Sequence, residues 1–242
     1  KKILVISDNP NIVRRFENEV WNKIDSSDFS LSYACSHYSN LNDFDLENGI
    51  KHINLKDQSD VDKILDNELI ISIHCKQLFP KQLIDNVRCI NVHPGYNPIN
   101  RGWYPQVFSI IYNTEIGATI HEIDEKLDHG GIIAREKVKS FSYDTSLTLY
   151  NRVVNKEIDL LEKNLVYIIN NDYNTFKPQI TGNLYLKKDF KKVCKLNLDE
   201  KITMRDALNR LRALTHGNFK NAYFIDDDNN KIYVSLNINK SD

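Results

Sequence analysis

The sequence predicts an α/β fold: a Rossmann-like, mostly parallel sheet with helices on both faces, followed by a small C-terminal helix and β-hairpin. Short apolar, β-branched runs alternate with helical segments, and this alternation predicts βαβ units. A long amphipathic segment, residues 146–170, carries apolar side chains at helical spacing. One strand, Cys89 to Val92, ends in a loop broken by Pro94, Gly95 and Pro98. Open α/β sheets place their ligands at such strand ends.

The individual elements follow in chain order. Strands are predicted from short apolar runs at residues 3–6, 31–36, 52–55, 69–73, 89–92, 118–123 and 132–138. Asp8 to Asn11 form a turn and a helix N-cap before an apolar helical face. Further helices are predicted at 60–66, from Pro105 and over 146–170. After residue 182, Thr203 begins a capping-box-like start to a helix, and residues 222–225 and 232–236 flank an Asp/Asn turn, which predicts a hairpin.

Length and charge limit the classes of function. The chain has 242 residues with a formal net charge of −1, which argues against a nucleic-acid partner or a membrane surface. The apolar run Ile3 to Ile6 is too short for a signal peptide, and no run approaches the ~20 residues of a membrane helix. The four cysteines have no metal-binding spacing and are expected to be reduced, so we expect a cytoplasmic protein without a metal. We divide the chain into a main domain, residues 1–180, and a small C-terminal region, residues 181–242.

Three residues combine the chemistry of a proton transfer. Asn91 and His93 lie two apart on one strand, so their side chains share a face, and Asp128 lies in a polar loop ending in glycines. A neutral imidazole can accept a proton, an amide can hydrogen-bond an oxyanion, and a carboxylate can orient the imidazole and favour its charged form. No Ser or Cys nucleophile adjoins them, which suits direct transfer between two bound substrates. Taken alone, a histidine beside a Pro-Gly turn is more often structural.

The wider motifs resemble the folate-dependent formyltransferases. The Asn-Val-His-Pro strand end at 91–94, the Arg101-Gly102 loop, and the strand that leads from His121 to a Leu-Asp-His-Gly loop at 127–130 are similar to that family over roughly residues 1–170. The resemblance implies that Asn91, His93 and Asp128 are catalytic. It departs from the family at His129 and Gly131, where relatives often have a small residue and a proline.

Two segments resemble one branch of this family, the nucleotide-sugar N-formyltransferases. One is the segment 100–109, which contains Trp-Tyr-Pro-Gln at 103–106. The other is the tail at 211–225, which is similar to the tails of both sugar and methionyl-tRNA formyltransferases. The resemblance implies transfer of a formyl group from N10-formyltetrahydrofolate to a dTDP-linked amino sugar, dTDP-4-amino-4,6-dideoxyglucose, for surface polysaccharide (O-antigen) synthesis. It also implies a homodimer that pairs through the tail, since an isolated hairpin is only marginally stable.

Binding residues are expected on both sides of the catalytic trio. For the folate we expect Gln77, Leu78, Phe79, His121 and Asp124. For the nucleotide sugar we expect a phosphate near the helix that follows Asn9, and the full set is Asn9, Arg14, Lys76, Arg101 and Trp103. Each of these residues also has a purely structural interpretation, such as a helix cap, a solvated cation or a packed ring.

Three alternatives remain open at this point. The acceptor is glycinamide ribonucleotide or another formyl acceptor; the chain is an inactive protein that senses folate or a nucleotide sugar; or it is a basic nucleic-acid module, which its charge disfavours. The sequence distinguishes neither a C3 from a C4 amine nor thymine from uracil.

Overall fold

The computed structural model describes residues 1–46 and 49–241, which form an α/β fold around a seven-stranded sheet. The strand order is β3-β2-β1-β4-β5-β7-β8. The strands of this sheet are β1 (Lys2–Ile6), β2 (Ser30–Ser36), β3 (Lys51–Ile53), β4 (Leu69–Ile73), β5 (Arg88–His93), β7 (Ile116–Glu122) and β8 (Ile132–Val138). The first five run parallel, and β7 and β8 are antiparallel to their neighbours, so the predicted fold class is confirmed.

Helices cover both faces of the sheet. They are α1 (Pro10–Glu19), α2 (Gln58–Ile64), α3 (Lys81–Asn86), α4 (Pro105–Tyr112), α5 (Ser146–Asn170), α6 (Lys187–Cys194) and α7 (Met204–Leu214), with short 3₁₀ turns at Trp21–Lys23 and Leu41–Asp43. One core cluster joins the sheet to α1 and α5 through residues such as Phe16 and Leu161. A second cluster lies on the opposite face and includes Val61 of α2 and Leu83 of α3. The central strands are buried on both faces, which explains their continuous apolar sequences.

Local sequence signals set several helix ends. The Asn9 side chain accepts hydrogen bonds from the backbone N–H groups of Asn11 and Ile12, and Pro10 occupies the first turn of α1. Thr203 caps α7 by accepting from the N–H of Asp206. The long helix α5 has the bounds predicted for it and begins with a capping box at Thr145. These ends follow from residues close in sequence, which is why the pattern predicted them.

The tail packs on the rest of the chain. Ala213, Leu214 and Ala222 share a core cluster with Val107 of α4 and Val153 of α5. The predicted hairpin is present as β10 (Ala222–Ile225) and β11 (Lys231–Val234). Two short strands that we did not predict, β6 (Asn100–Gly102) and β9 (Asn183–Tyr185), pair in parallel across the proposed boundary. The division at residue 180 stays a prediction.

Other differences concern short or polar elements. Helices α3 and α6 were not predicted, and the segment 187–194 that forms α6 is rich in lysine, so its helical period is weak. Helix α2 begins two residues earlier than predicted because Asp57 caps it through the N–H of Ser59. In the described part of the chain, no helix is both long and apolar enough to cross a membrane.

Candidate active site

A cavity of about 780 Å³ opens at the carboxyl ends of β1, β4 and β5. Pockets of this size hold small-molecule ligands. It is lined by all three proposed catalytic residues and by Asn9, Lys76, Gln77, Leu78, Phe79, Trp103, His121 and Asp124. Two proposed binding residues do not line it. Arg14 is exposed on α1, and Arg101, which lies on β6, has a buried Nε without a hydrogen-bond partner.

Asp128 lies at the centre of the three residues predicted to be catalytic. Its Oδ1 accepts from Nδ2 of Asn91 at 3.1 Å, and its Oδ2 accepts from the backbone N–H of Gly102 at 2.8 Å and lies 3.6 Å from Nδ1 of His93. The residue itself has φ of +48°. Burial alone would raise the pKa of Asp128, but the neighbouring His93 and His121 and the N–H of Gly102 hold this pKa well below its usual range. The carboxylate is therefore charged at neutral pH.

The hydrogen bonds of His93 leave one nitrogen for chemistry. Its Nε2 lies 2.8 Å from the carbonyl oxygen of Asn100, which can only accept, so Nε2 carries the hydrogen. Nδ1 is then the nitrogen that can take a proton, and it faces Asp128. Gly95 allows this arrangement, because a Cβ there would overlap the imidazole ring.

Asn91 already uses its amide nitrogen. Nδ2 lies 3.1 Å from Asp128 Oδ1 and 3.2 Å from Nε2 of His121. The other nitrogen of His121, Nδ1, donates to the carbonyl of Glu122 at 2.6 Å, so in the neutral ring Nε2 can accept from Asn91. In the protonated ring, Nε2 carries a hydrogen and faces Oδ1 of Asp128 at 3.4 Å. His121 was expected near the folate, and it also contacts the catalytic group directly. An oxyanion would share or replace one of these two hydrogen bonds of Asn91.

A second polar cluster lies at the cavity, and of its members only Asn9 was predicted from the sequence. His74 follows β4 with φ of +57°, and its Nε2 lies 2.9 Å and 3.0 Å from the carboxylate oxygens of Glu157, a residue on α5 with no exposed surface. On its other side, Nδ1 lies 3.1 Å from the hydroxyl of Tyr150, which accepts from Nδ2 of Asn9 at 3.1 Å. The residues come from the N-cap of α1, the loop after β4, and α5, so only the tertiary structure brings them together.

The loop after β4 contributes both backbone and side chains. Asp8 accepts from the N–H of Lys76 at 2.7 Å and from Ser36 and Ser39. Gln77 uses its side-chain amide to hold β3, since Oε1 accepts from the N–H of Leu55 and Nε2 donates to the carbonyl of Ile53. Of the three residues in this loop that we expect to bind the folate, Leu78 has the most exposed side chain, with 74% of its surface accessible.

On the far side of the trio, Asp124 interacts with another residue of its own loop. Its Oδ2 lies 2.7 Å from Nδ1 of His129, and its Oδ1 accepts from the N–H of Lys126 at 2.9 Å. Burial would raise the pKa of Asp124, but these two partners lower it below the ordinary value. His129, one of the two departures from the family pattern, therefore holds a cavity-lining carboxylate in place.

The tail supplies part of the cavity wall. Leu186 and Lys187 line the cavity, and the ammonium group of Lys187 lies 3.9 Å from the centre of the Trp103 ring. Lys187 was not among the predicted site residues, because the tail gave no sequence signal that connects it to the strand ends. Among the described residues, no group of three or more His, Cys, Asp or Glu side chains is arranged to hold a metal ion.

Comparisons with known proteins show which families and structures this chain is similar to. A family model described as "Formyl transferase" matches residues 33–165, and one described as "N-formyltransferase dimerization C-terminal domain" matches residues 189–240. A dTDP-4-amino-4,6-dideoxyglucose formyltransferase of Mycobacterium bovis is 50% identical over 169 residues, which is 70% of this chain and 72% of the relative.

Two solved structures are similar over the whole chain. A 4-N formyltransferase from Francisella tularensis has 41% identity and a TM-score of 0.92, and a sugar N-formyltransferase from a Shewanella species has 40% identity and a TM-score of 0.93. Each alignment covers 100% of this chain and 99% of the other.

Proposed function

Because this chain belongs to the formyl transferase family, we propose that it moves a formyl group from N10-formyltetrahydrofolate to the amine of dTDP-4-amino-4,6-dideoxyglucose. The observation that carries this proposal is the convergence of Asn91, His93 and Asp128 in one cavity. The acceptor is the sugar in the name of the mycobacterial relative, with which half of the aligned residues are identical.

We assign the reaction to these three side chains as follows. The sugar amine attacks the formyl carbon, a C–N bond forms, and the carbonyl oxygen becomes an oxyanion next to the amide of Asn91. Nδ1 of His93 takes the proton that the amine loses, while the Asp128 carboxylate stabilises the imidazolium. The bond to N10 then breaks as the His93 imidazolium gives its proton to N10, so the base is regenerated and the net reaction exchanges one formyl group for one hydrogen.

We assign the two substrates to opposite faces of the sheet. Phe79 and Ile123 pack against the core cluster below α2 and α3, and both line the cavity, which supports this side for the folate. Asn9 and Tyr150 belong to α1 and α5 on the other face, which supports that side for the nucleotide sugar. Lys76 and Lys187 add positive charge for a diphosphate, and Trp103 offers a ring for stacking.

A mass-spectrometric assay tests the proposal. Purified protein is incubated with N10-formyltetrahydrofolate and a panel of amines: dTDP- and UDP-linked 3-amino and 4-amino sugars, and glycinamide ribonucleotide. We expect a mass gain of one formyl group in place of hydrogen on the dTDP-linked 4-amino sugar. Preferential formylation of glycinamide ribonucleotide would support the alternative acceptor, and binding without transfer to any amine would support an inactive sensor. The His93→Ala variant is the inactive control.

We further propose that the chain acts as a homodimer. The tail matches the dimerization model and presents apolar side chains on one hairpin and the adjoining loop: Phe219, Ile225, Ile232 and Tyr233. A second copy would cover them. Light scattering on the purified protein should give twice the mass of the 28.2 kDa chain, and the mass of a single chain would refute this. We place the reaction in surface polysaccharide synthesis in the cytoplasm, in line with the four free cysteines.

A further inference from the structure

The backbone of β6 orients two of the three catalytic side chains. The carbonyl oxygen of Asn100 accepts from Nε2 of His93 at 2.8 Å, and the N–H of Gly102 donates to Oδ2 of Asp128 at 2.8 Å. These two bonds set the ring orientation of the base and the position of the charge that faces it. A shift of this three-residue strand would therefore move both groups together.

The strand that holds β6 comes from the tail. Asn100, Arg101 and Gly102 pair in parallel with residues 183–185, and the next N–H, that of Trp103, donates to the carbonyl of Tyr185 at 2.8 Å. In the described part of the chain, β6 and β9 form a two-stranded sheet of their own, separate from the central one. The position of β6 therefore depends on β9.

Glycines allow the two backbones to come this close. Gly102 has φ of +91°, and a Cβ there would overlap the carbonyl oxygen of Tyr185. A Cβ at Gly182 would overlap the carbonyl of Pro98, just before β6. The two backbones therefore approach closely at both ends of the pairing, and a single methyl group at either glycine would separate the strands.

Two aromatic stacks hold β9 and α6 against α4 and the residue before it. The ring of Tyr185 stacks on Phe108 of α4 with centroids 4.0 Å apart, and Phe190 stacks on Tyr104 at 3.9 Å. Phe108 is fully buried, so the stack anchors β9 to the core of the catalytic part. Gly182 and Tyr185 do not themselves line the cavity.

We propose that residues 182–185, here called the tail segment, position His93 and Asp128 by holding β6 against them. Tyr185 and Gly182 are then positioning residues of the transfer reaction, although they touch neither substrate. Their loss should impair the chemical step more than substrate binding, because a small misplacement of reacting groups is costly. The inference rests on the roles proposed above for His93 and Asp128.

The test compares four variants of the 242-residue chain by steady-state kinetics. Gly182→Ala and Tyr185→Leu should lower kcat roughly 10- to 100-fold, while KM for both substrates stays within about threefold of wild type. Tyr185→Phe keeps the ring and should restore kcat. Tyr167→Leu, on the exposed side of α5, is the matched control and should behave as wild type.

Each outcome is decisive. Unchanged kcat in Tyr185→Leu, or a rise in KM with normal kcat, would refute the positioning role. A loss in Tyr185→Leu that Tyr185→Phe does not restore would also refute it, because the ring would then not be the anchor. If Gly182→Ala does not fold, the Tyr185 pair still decides. Failure of the wild-type protein to formylate any amine would instead refute the proposed function.

Discussion

Asp128 connects the residues that we propose to be catalytic. It accepts from Asn91 and Gly102 and faces His93, and its left-handed backbone turns the carboxylate toward all of them. His121 completes the group by accepting from Asn91. Asn91 and His93 were predicted as neighbours because their strand spacing fixes that relation. The role of His121 was not predicted, since its contact depends on the register between β5 and β7, in which Asn91 pairs with His121.

At the scale of single residues, the substitution Asn91→Ala tests whether the amide of Asn91 stabilises the oxyanion. It should reduce turnover by roughly 10²–10³, as expected when one oxyanion donor is lost, and should change KM far less. Kinetics with both substrates varied provide the measurement. Normal turnover with weak sugar binding would make Asn91 a specificity residue instead.

The charge of Asp128 is tested by Asp128→Asn. The substitution removes the charge that stabilises protonated His93, so the neutral imidazole is favoured and the acidic limb of the pH–rate profile should move to lower pH. We expect turnover to fall by roughly 10²–10⁴ in a folded protein. The melting temperature and pH–rate profile are measured on the same sample. A fully active or unfolded variant would contradict the catalytic assignment.

The polar cluster at His74 is tested by Tyr150→Phe. Removing the hydroxyl breaks the chain of hydrogen bonds from Asn9 through Tyr150 to His74. We expect KM for the amino sugar to rise about tenfold, the cost of one good hydrogen bond, while KM for the folate is unchanged. Tyr167→Phe is the control, because Tyr167 lies on the same helix with 55% of its surface exposed. A rise confined to the folate KM would reverse our assignment of the two faces.

At the scale of elements, short pieces of backbone carry much of the site. The loop between β7 and β8 holds Asp128, and it is closed at Gly130, where a Cβ would overlap the carbonyl of Glu122. The N–H of Glu122 donates to the carbonyl of Gly131 at 2.9 Å, so the two ends of the loop are held together. The position of the loop therefore depends in part on close backbone packing.

Gly130→Ala should disturb this loop and the carboxylate in it. We expect a loss of about 1–3 kcal/mol in stability from overpacking and a clear fall in kcat. Gly117→Ala is a matched control, because a Cβ there overlaps the carbonyl of Glu136 on the same strand pair, away from the cavity. It should lose similar stability and keep kcat. Equal kcat losses in both variants would show that the effect is general destabilisation. Chemical unfolding and kinetics supply the two readouts.

At the scale of the whole molecule, the edge of the sheet at which the cavity opens brings together distant parts of the chain. Asp8 lies two residues after β1 and accepts hydrogen bonds from Ser36, Ser39 and Lys76. Burial would raise the pKa of Asp8, but the hydrogen bonds from Ser36, Ser39 and Lys76 lower it below the ordinary value of 3.8. One carboxylate therefore holds together the ends of three adjacent strands.

The lowered pKa of Asp8 predicts that the free energy of unfolding decreases at acidic pH. A carboxyl whose pKa is lower in the folded state stabilises the protein above the ordinary value, 3.8, and loses this contribution as the pH falls below it. Asp8→Asn should cost about 1–3 kcal/mol at pH 7 and make the stability fall less steeply in acid. Urea unfolding between pH 3 and 7 measures both effects. Asp66→Asn, at an exposed ion pair, is the control, and identical pH slopes for wild type and Asp8→Asn would contradict the argument.

The sequence by itself determined the elements that local patterns control. The parallel strands follow from continuous apolar runs, α5 from its helical period and capping box, and the first turn of α1 from Asn9 and Pro10. Asn91 and His93 were found because two residues on one strand have a fixed relation. The resemblance of separated motifs then supplied Asp128, which spacing alone leaves undetermined.

Only the tertiary structure decided the contacts between distant segments. The pairing of β6 with β9, the His74–Glu157 cluster and the place of Lys187 in the cavity wall each join residues more than 80 positions apart. Arg14 and Arg101 were expected at the site and do not line it, because the side of a helix or strand that faces a cavity depends on how that element packs. Local propensity carries no information on such pairings, since they form only when the chain closes around its core.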